Sequence, residues 1–200
     1  MIIGVDIDGV LTNLLKLCKK DFFQFSKKIN GKGIFRKQAR SLAEIFGVTQ
    51  EQDYEFWKDY NWVYAENIKY YPTASKYLKK LRERGHKIYI ITSREYAGQN
   101  SELGQKMRTL IETSLQKEGI LYDKIFYTSE TKSKKQVIVD NNVDVLIDDS
   151  FWNLEEATKL IPAICFDQIY NRDYKNERVE RCKNWREIYK TIQKMAKKEN

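Results

Sequence analysis

Apolar positions along the 200-residue chain follow two periods. Short runs recur at Ile2 to Val5, Lys87 to Ile91, Lys124 to Tyr127, Val143 to Ile147 and Ala163 to Phe166. Each is four or five residues long and bounded by polar or turn residues, which predicts five buried β-strands. Between them the spacing changes to three and four. Ala74, Tyr77, Leu78 and Leu81 predict an amphipathic helix over 73–84, stopped by Gly85. Leu103, Met107, Leu110 and Ile111 predict a second helix, and Ser133 caps a third over about 134–141. Leu154, Ala157 and Ile161 mark a fourth, and Trp185, Ile188, Tyr189, Ile192 and Met195 a last one. Strands separated by helices make βαβ units, so the expected fold is α/β: a Rossmann-like parallel sheet with helices on both faces.

Residues 14–69 interrupt this alternation. Leu14, Leu15, Leu17, Phe22, Phe23 and Phe25 form apolar faces between lysines, and Asn30-Gly31-Lys32-Gly33 marks a loop. Leu42, Ile45 and Phe46, stopped by Gly47, predict a short helix, and Thr49-Gln50-Glu51-Gln52 starts another. The block is therefore expected to be a small helical cap, 14–69, inserted into a core made of 1–13 and 70–200. Its aromatics at Phe56, Trp57, Tyr60, Trp62 and Tyr64 predict a packed interior, with ligand stacking by Phe22, Trp57 or Trp62 as the alternative.

Composition narrows the partners. Apolar residues make up 42% of the chain, enough for a core in one domain with an insertion. The net charge of +8 favours anionic partners: phosphorylated metabolites, nucleic acid or an acidic surface. It is unevenly spread, since residues 13–40 hold nine Lys/Arg against Asp21 alone, while 41–60 hold five acids against Lys58. Three cysteines, Cys18, Cys165 and Cys182, have no ligand spacing and fit a reducing compartment. Acids follow within the first six residues, unlike a signal peptide, and no apolar run approaches 18 residues. A soluble cytoplasmic protein without a membrane partner is expected. His86 is the only histidine, which argues against histidine-dependent triads and clustered zinc sites.

In open parallel sheets ligands bind beyond the carboxyl ends of the strands. Those ends read Asp6-Ile7-Asp8-Gly9, then Thr92-Ser93, then a lysine-bearing loop at 129–135, then Asp148-Asp149. The first is not a calcium loop, because Val10 and Leu11 stand where a third oxygen ligand and a glycine are needed. Asp6 and Asp148 can offer carboxylates to Mg²⁺, and the Asp8 main-chain carbonyl another oxygen. Asp6 can then act as a nucleophile on phosphorus and Asp8 as general acid and base. Thr92 and Ser93 offer hydroxyls to phosphate, and one lysine of 132–135 can neutralise its charge. Each piece has a plainer alternative: Thr92-Ser93 and Asp148-Asp149 as helix caps, and the lysines as solvated charges.

The order Asp6-x-Asp8-Gly-Val-Leu-Thr, Ile-Ile-Thr92-Ser-Arg, a lysine, and Leu-Ile-Asp148-Asp149 resembles the haloacid dehalogenase-like phosphatases. The resemblance implies Asp6 as nucleophile, Asp8 as acid/base, Thr92 as phosphate ligand, Asp148 as magnesium ligand and Asp149 as an auxiliary acid. Lys134, fourteen residues before Asp148, matches the family spacing best, and Lys135 second. Within that superfamily the chain looks like the cytosolic 5′(3′)-deoxyribonucleotidases and their bacterial nucleotidase relatives. Tyr71-Pro-x-Ala, Gly-His-Lys-Ile-Tyr-Ile-Ile-Thr-Ser-Arg and the tail Tyr170-Asn171-Arg172 to Trp185 carry the likeness. It implies a phosphomonoesterase acting on nucleoside monophosphates. The alternatives are a phosphatase for a sugar phosphate or a nucleic-acid phosphate end, or a non-catalytic nucleic-acid-binding module.

Overall fold

The computed structural model describes residues 1–37, 39–129 and 131–198, with the backbone alone at Lys198. Strand β1 (Ile2–Val5) leads into α1 (Leu14–Asn30), α2 (Leu42–Phe46) and α3 (Gln50–Glu66). Then come α4 (Ala74–Glu83), β2 (Lys87–Thr92), α5 (Glu102–Lys117), β3 (Lys124–Tyr127) and α6 (Lys134–Asp140). The chain ends with β4 (Val145–Asp148), α7 (Phe151–Thr158), β5 (Ala163–Phe166), β6 (Val179–Cys182) and α8 (Trp185–Lys198). All pairings are parallel, in the order β3-β2-β1-β4-β5-β6. The chain moves outward from β1 to β3, then returns to the other side of β1 at β4. This reversal opens a crevice between the carboxyl ends of β1 and β4, the place where such sheets bind ligands.

The strand pattern explains the two-faced packing. Ile3, Val5, Ile88, Ile90, Val145 and Ile147 share one core with α4, α5 and α8. Tyr89, Ile91, Leu146, Ala163 and Cys165 alternate with them and share a second core with α6 and α7. The sixth strand was not among those expected from the apolar runs. It lies at the sheet edge, and only Cys182 of its four residues is buried, so it presents no apolar run. The fourth strand begins at Val145 rather than Val143 and includes Asp148, which pairs with Cys165.

The helices between β1 and α4 have an interior of their own. Phe22 is fully buried between Phe46 and Phe56, with ring centroids 4.4 and 4.0 Å away. Burial removes Phe22 from the residues expected to stack on a ligand. Trp62 is also engaged, stacked on Tyr96 at 5.3 Å with the Lys106 ammonium 4.9 Å from its ring. Ser41 caps α2 through the Glu44 amide, and Thr49 and Gln52 form a capping box at the start of α3. The two chain segments that connect these helices to the sheet lie side by side: Thr12 bridges Tyr70, and the Tyr71 amide donates to the Leu11 carbonyl at 2.8 Å.

Phe22→Ala should cost about 3–5 kcal/mol, because it empties a site between two stacked rings. Urea unfolding should show a lower midpoint. A loss under about 1 kcal/mol would mean that these rings do not hold α1, α2 and α3 together.

Candidate active site

The loop after β1 is shaped by one carbonyl. The amides of Val10, Leu11 and Thr12 and the Thr12 hydroxyl all converge on the Ile7 carbonyl, at 2.9 to 3.3 Å. Asp6 stays in line with the sheet, its amide donating to the Ile147 carbonyl at 3.0 Å. Gly9 adopts φ +81°, and a Cβ there would lie 2.0 Å from the Asp149 carboxylate. Both the backbone conformation and the space require glycine.

Four of the sequence-selected residues meet at the crevice. Asp6, Asp148 and Asp149 are buried, and each offers an oxygen within 4.8 Å of the others. Lys134, the first residue of α6, lies among them and is also buried. Its ammonium donates to Asp6 Oδ1 at 2.5 Å and to Asp148 Oδ2 at 2.7 Å. Lys135 points elsewhere, exposed and 3.7 Å from Glu156. Asp148 is held further by the Ser150 amide at 2.9 Å and the Asn153 side chain at 3.1 and 3.2 Å. It thus steadies the start of α7 while its other oxygen faces Lys134. Asp149 accepts the Tyr170 hydroxyl, and Asn171 donates to its carbonyl at 2.8 Å.

Electrostatics follow from this crowding. Burial pushes the Asp6 carboxyl up to about 7; Lys134 opposes the rise, and the charges of Asp148 and Asp8 add to it. Burial also lifts Asp149 well above the usual carboxylate range, with repulsion from Asp148 and Asp6 acting the same way. For Lys134, burial favours the neutral amine, but the paired carboxylates outweigh it and hold the group protonated above its ordinary value.

Asp8 stands apart from the three clustered acids. Its carboxylate accepts Arg94 through both oxygens and the Tyr64 hydroxyl at 2.6 Å. Tyr64 in turn contacts the Thr12 hydroxyl at 2.7 Å. Arg94 and Tyr64 were not assigned to the site from sequence. Arg94 was visible only as the last residue of the Thr-Ser-Arg motif, and Tyr64 as one aromatic of a helix. Asn153 and Tyr170 were not assigned either; helical spacing after Asp148 is the signal that could have found Asn153.

Thr92 ends β2 with its hydroxyl buried and without a partner among the described residues. Such an orphan costs about 1–3 kcal/mol until an acceptor arrives. Thr92 and Ser93 do not cap α5, which begins at Glu102 with Ser101 as its cap. The Ser93 hydroxyl accepts Thr128 Oγ1 at 2.7 Å. Ser93 also borders, with Asp6, Asp8, Lys134 and Asp149, a cavity of about 260 Å³. Past Asp8 lies a second cavity of about 280 Å³, bordered by Trp57, Asn61, Tyr64 and Arg94. His86 is far from this rim, just before the first residue of β2. Among the described residues no helix is long and apolar enough to cross a membrane.

The crystal structure of a predicted phosphatase from Clostridium acetobutylicum superposes with a TM-score of 0.64 at 16% identity, covering 96% of this chain and 98% of that one. A D,D-heptose 1,7-bisphosphate phosphatase from B. bronchiseptica, complexed with magnesium and phosphate, gives a TM-score of 0.56 at 12% identity, with coverage of 98% and 99%. At these identities the likeness is one of fold. In sequence, a nucleotidase of Clostridium acetobutylicum is 26% identical over 202 residues, covering 98% of this chain and 95% of that protein. The model of the family "5' nucleotidase, deoxy (Pyrimidine), cytosolic type C protein" matches residues 1–199. The chain therefore belongs to this nucleotidase family, on a haloacid dehalogenase-like fold, and is a hydrolase of phosphate monoesters.

Proposed function

We propose that the chain is a magnesium-dependent phosphomonoesterase that hydrolyses nucleoside or deoxynucleoside monophosphates through an aspartyl-phosphate on Asp6. The observation that carries this is the buried group Asp6, Asp148 and Asp149 with a single ammonium among them. These donors are all hard oxygens, and one lysine leaves them under-neutralised, which suits a divalent cation that keeps several of its waters. Asp6, Asp148 and the Asp8 main-chain carbonyl would hold it, with Asp149 as an auxiliary acid. When bound, Mg²⁺ supplies positive charge to a phosphoryl oxygen and keeps Asp6 ionised. The heptose bisphosphatase of similar fold was crystallised with magnesium and phosphate.

The chain's own groups supply the rest. An Asp6 oxygen attacks phosphorus as the ester bond to the nucleoside breaks, and Asp8 gives its proton to the departing oxygen. Asp8 then takes a proton from a water whose oxygen attacks the same phosphorus. The bond to Asp6 breaks, the carboxylate is regenerated, and inorganic phosphate leaves. The unpartnered Thr92 hydroxyl, Ser93 and the Lys134 ammonium are the donors for the phosphoryl oxygens. Arg94 and Tyr64 fix the Asp8 carboxylate from two sides, and Tyr64 belongs to α3. The inserted helices 14–69 thus act as a cap that also positions the acid/base group of the core.

Two sets of outcomes test this. With Mg²⁺ and a panel of nucleoside monophosphates, Asp6→Asn should abolish phosphate release, and Asp8→Asn should lower kcat by about 10²–10⁴ with little change in KM. An Asp6→Asn enzyme keeping more than a tenth of wild-type turnover would remove Asp6 as nucleophile. The second test is thermal. A carboxyl whose folded pKa is raised stabilises the fold while protonated, and that stability is lost as pH rises from about 4 towards the folded value. For Asp6 the window ends near 7. In chelator, the Tm should therefore fall between about pH 4 and 7. At pH 8, Mg²⁺ at a hundred times its Kd should raise the Tm by about 5–10 °C. Asp148→Asn should erase most of that response; an equal response in wild type and Asp148→Asn would place the cation elsewhere.

A further inference from the structure

Trp152 is the second residue of α7 and lies three positions after Asp149. Its surface is 68% exposed, the most open of the large apolar side chains described. The helix does not need it for packing, since Leu154, Ala157 and Thr158 form the buried face of α7. One side of the indole meets Phe151, with centroids 4.0 Å apart. Among the described residues no other ring or cation lies against it. The other tryptophans are differently placed. Trp185 is buried, Trp62 is stacked on Tyr96, and Trp57 donates its N–H to Asp53 at 3.2 Å and is edge-on to Phe56 and Tyr60.

The open ring stands at the acid cluster. Trp152, Arg40 and Tyr170 border the cavity that contains Asp6 and Lys134. The same three residues continue into an adjoining cavity of about 400 Å³, whose wall also includes Phe151, Tyr174 and Lys175 and the acids Glu155 and Asp173. Aromatic faces with cations beside a phosphate site are the chemistry that holds a planar heteroaromatic ring. We infer that Trp152 is the stacking platform for the base of the nucleotide, with Arg40, on the loop before α2, as the charged group beside it. This rests on the nucleotidase reading and extends it by assigning base selection to a residue of the sheet domain next to Asp149, rather than to the aromatic cluster of the inserted helices.

UMP and ribose 5-phosphate share their ribose and phosphate and differ only in the base, so the ratio of their kcat/KM values isolates base recognition. A lost stack is worth about 1–3 kcal/mol, a change of at least fivefold in that ratio. Trp152→Ala should lower the ratio by about tenfold, mainly through KM for UMP, and Trp152→Phe should restore most of it. A purely structural role would lower both substrates together and leave the ratio unchanged, which overturns the inference. So does a fall in the ratio that appears in Trp57→Ala and not in Trp152→Ala. Phosphate release from ribose 5-phosphate but not from UMP would overturn the nucleotidase reading and this inference with it. Calorimetric titration of UMP into Asp6→Asn with Mg²⁺ separates the two questions. Binding weakened at least fivefold by adding Trp152→Ala supports the platform independently of turnover, and unchanged binding refutes it.

Discussion

The structure depends on one electrostatic constraint. Three carboxylates are buried beside one another at the carboxyl ends of β1 and β4, and a single lysine joins two of them. Charges removed from water are tolerated only when paired and hydrogen-bonded. Lys134 meets that condition because Ser133 starts α6 at the point where the lysine can reach back across the crevice. Burial, with repulsion between the carboxylates adding to it, holds the Asp6 and Asp149 carboxyls above their ordinary range. Surplus carboxylate charge of this kind favours a cation, and among the described residues the buried Thr92 hydroxyl has no partner.

The second constraint links α3 to the loop after β1. Asp8 is two residues from Asp6 but does not join the acid cluster. Arg94, the residue after Thr92-Ser93, and Tyr64, near the end of α3, take up its carboxylate. Both are buried, so this geometry is held by packing as well as by charge. The segment linking β1 to α1 and the segment leading into α4 are bridged at Thr12 and Tyr70. The helices between them are tied to the core there, and again through Tyr64 at Asp8 and Trp62 at Tyr96.

Much of this was legible in the chain because strand ends impose order. A buried parallel strand needs an apolar run, and the residues just beyond that run must face the ligand edge. Asp6, Thr92 and Asp148 could be placed on one rim from that alone. Lys134 could be separated from Lys135 only by matching a family spacing, and the coordinates bring Lys134 against Asp6. Strand β6 escaped notice because an edge strand with one buried residue has no apolar signature. Arg94 and Tyr64 escaped for a different reason: their role arises where segments distant in sequence meet at Asp8, which no local period encodes. The aromatics of 14–69 show the same limit. Periodicity marked them as a cluster, but it took the stacking of Phe22 between Phe46 and Phe56 to show which were closed to a ligand.

Mn²⁺ in place of Mg²⁺ would make the proposed cation site directly visible by anomalous diffraction from crystals soaked at neutral pH. The expected peak lies between Asp6 and Asp148, within about 2.0–2.3 Å of one oxygen from each. A peak outside the crevice, or an undisturbed Lys134 bridge with no ion beside it, would contradict the account.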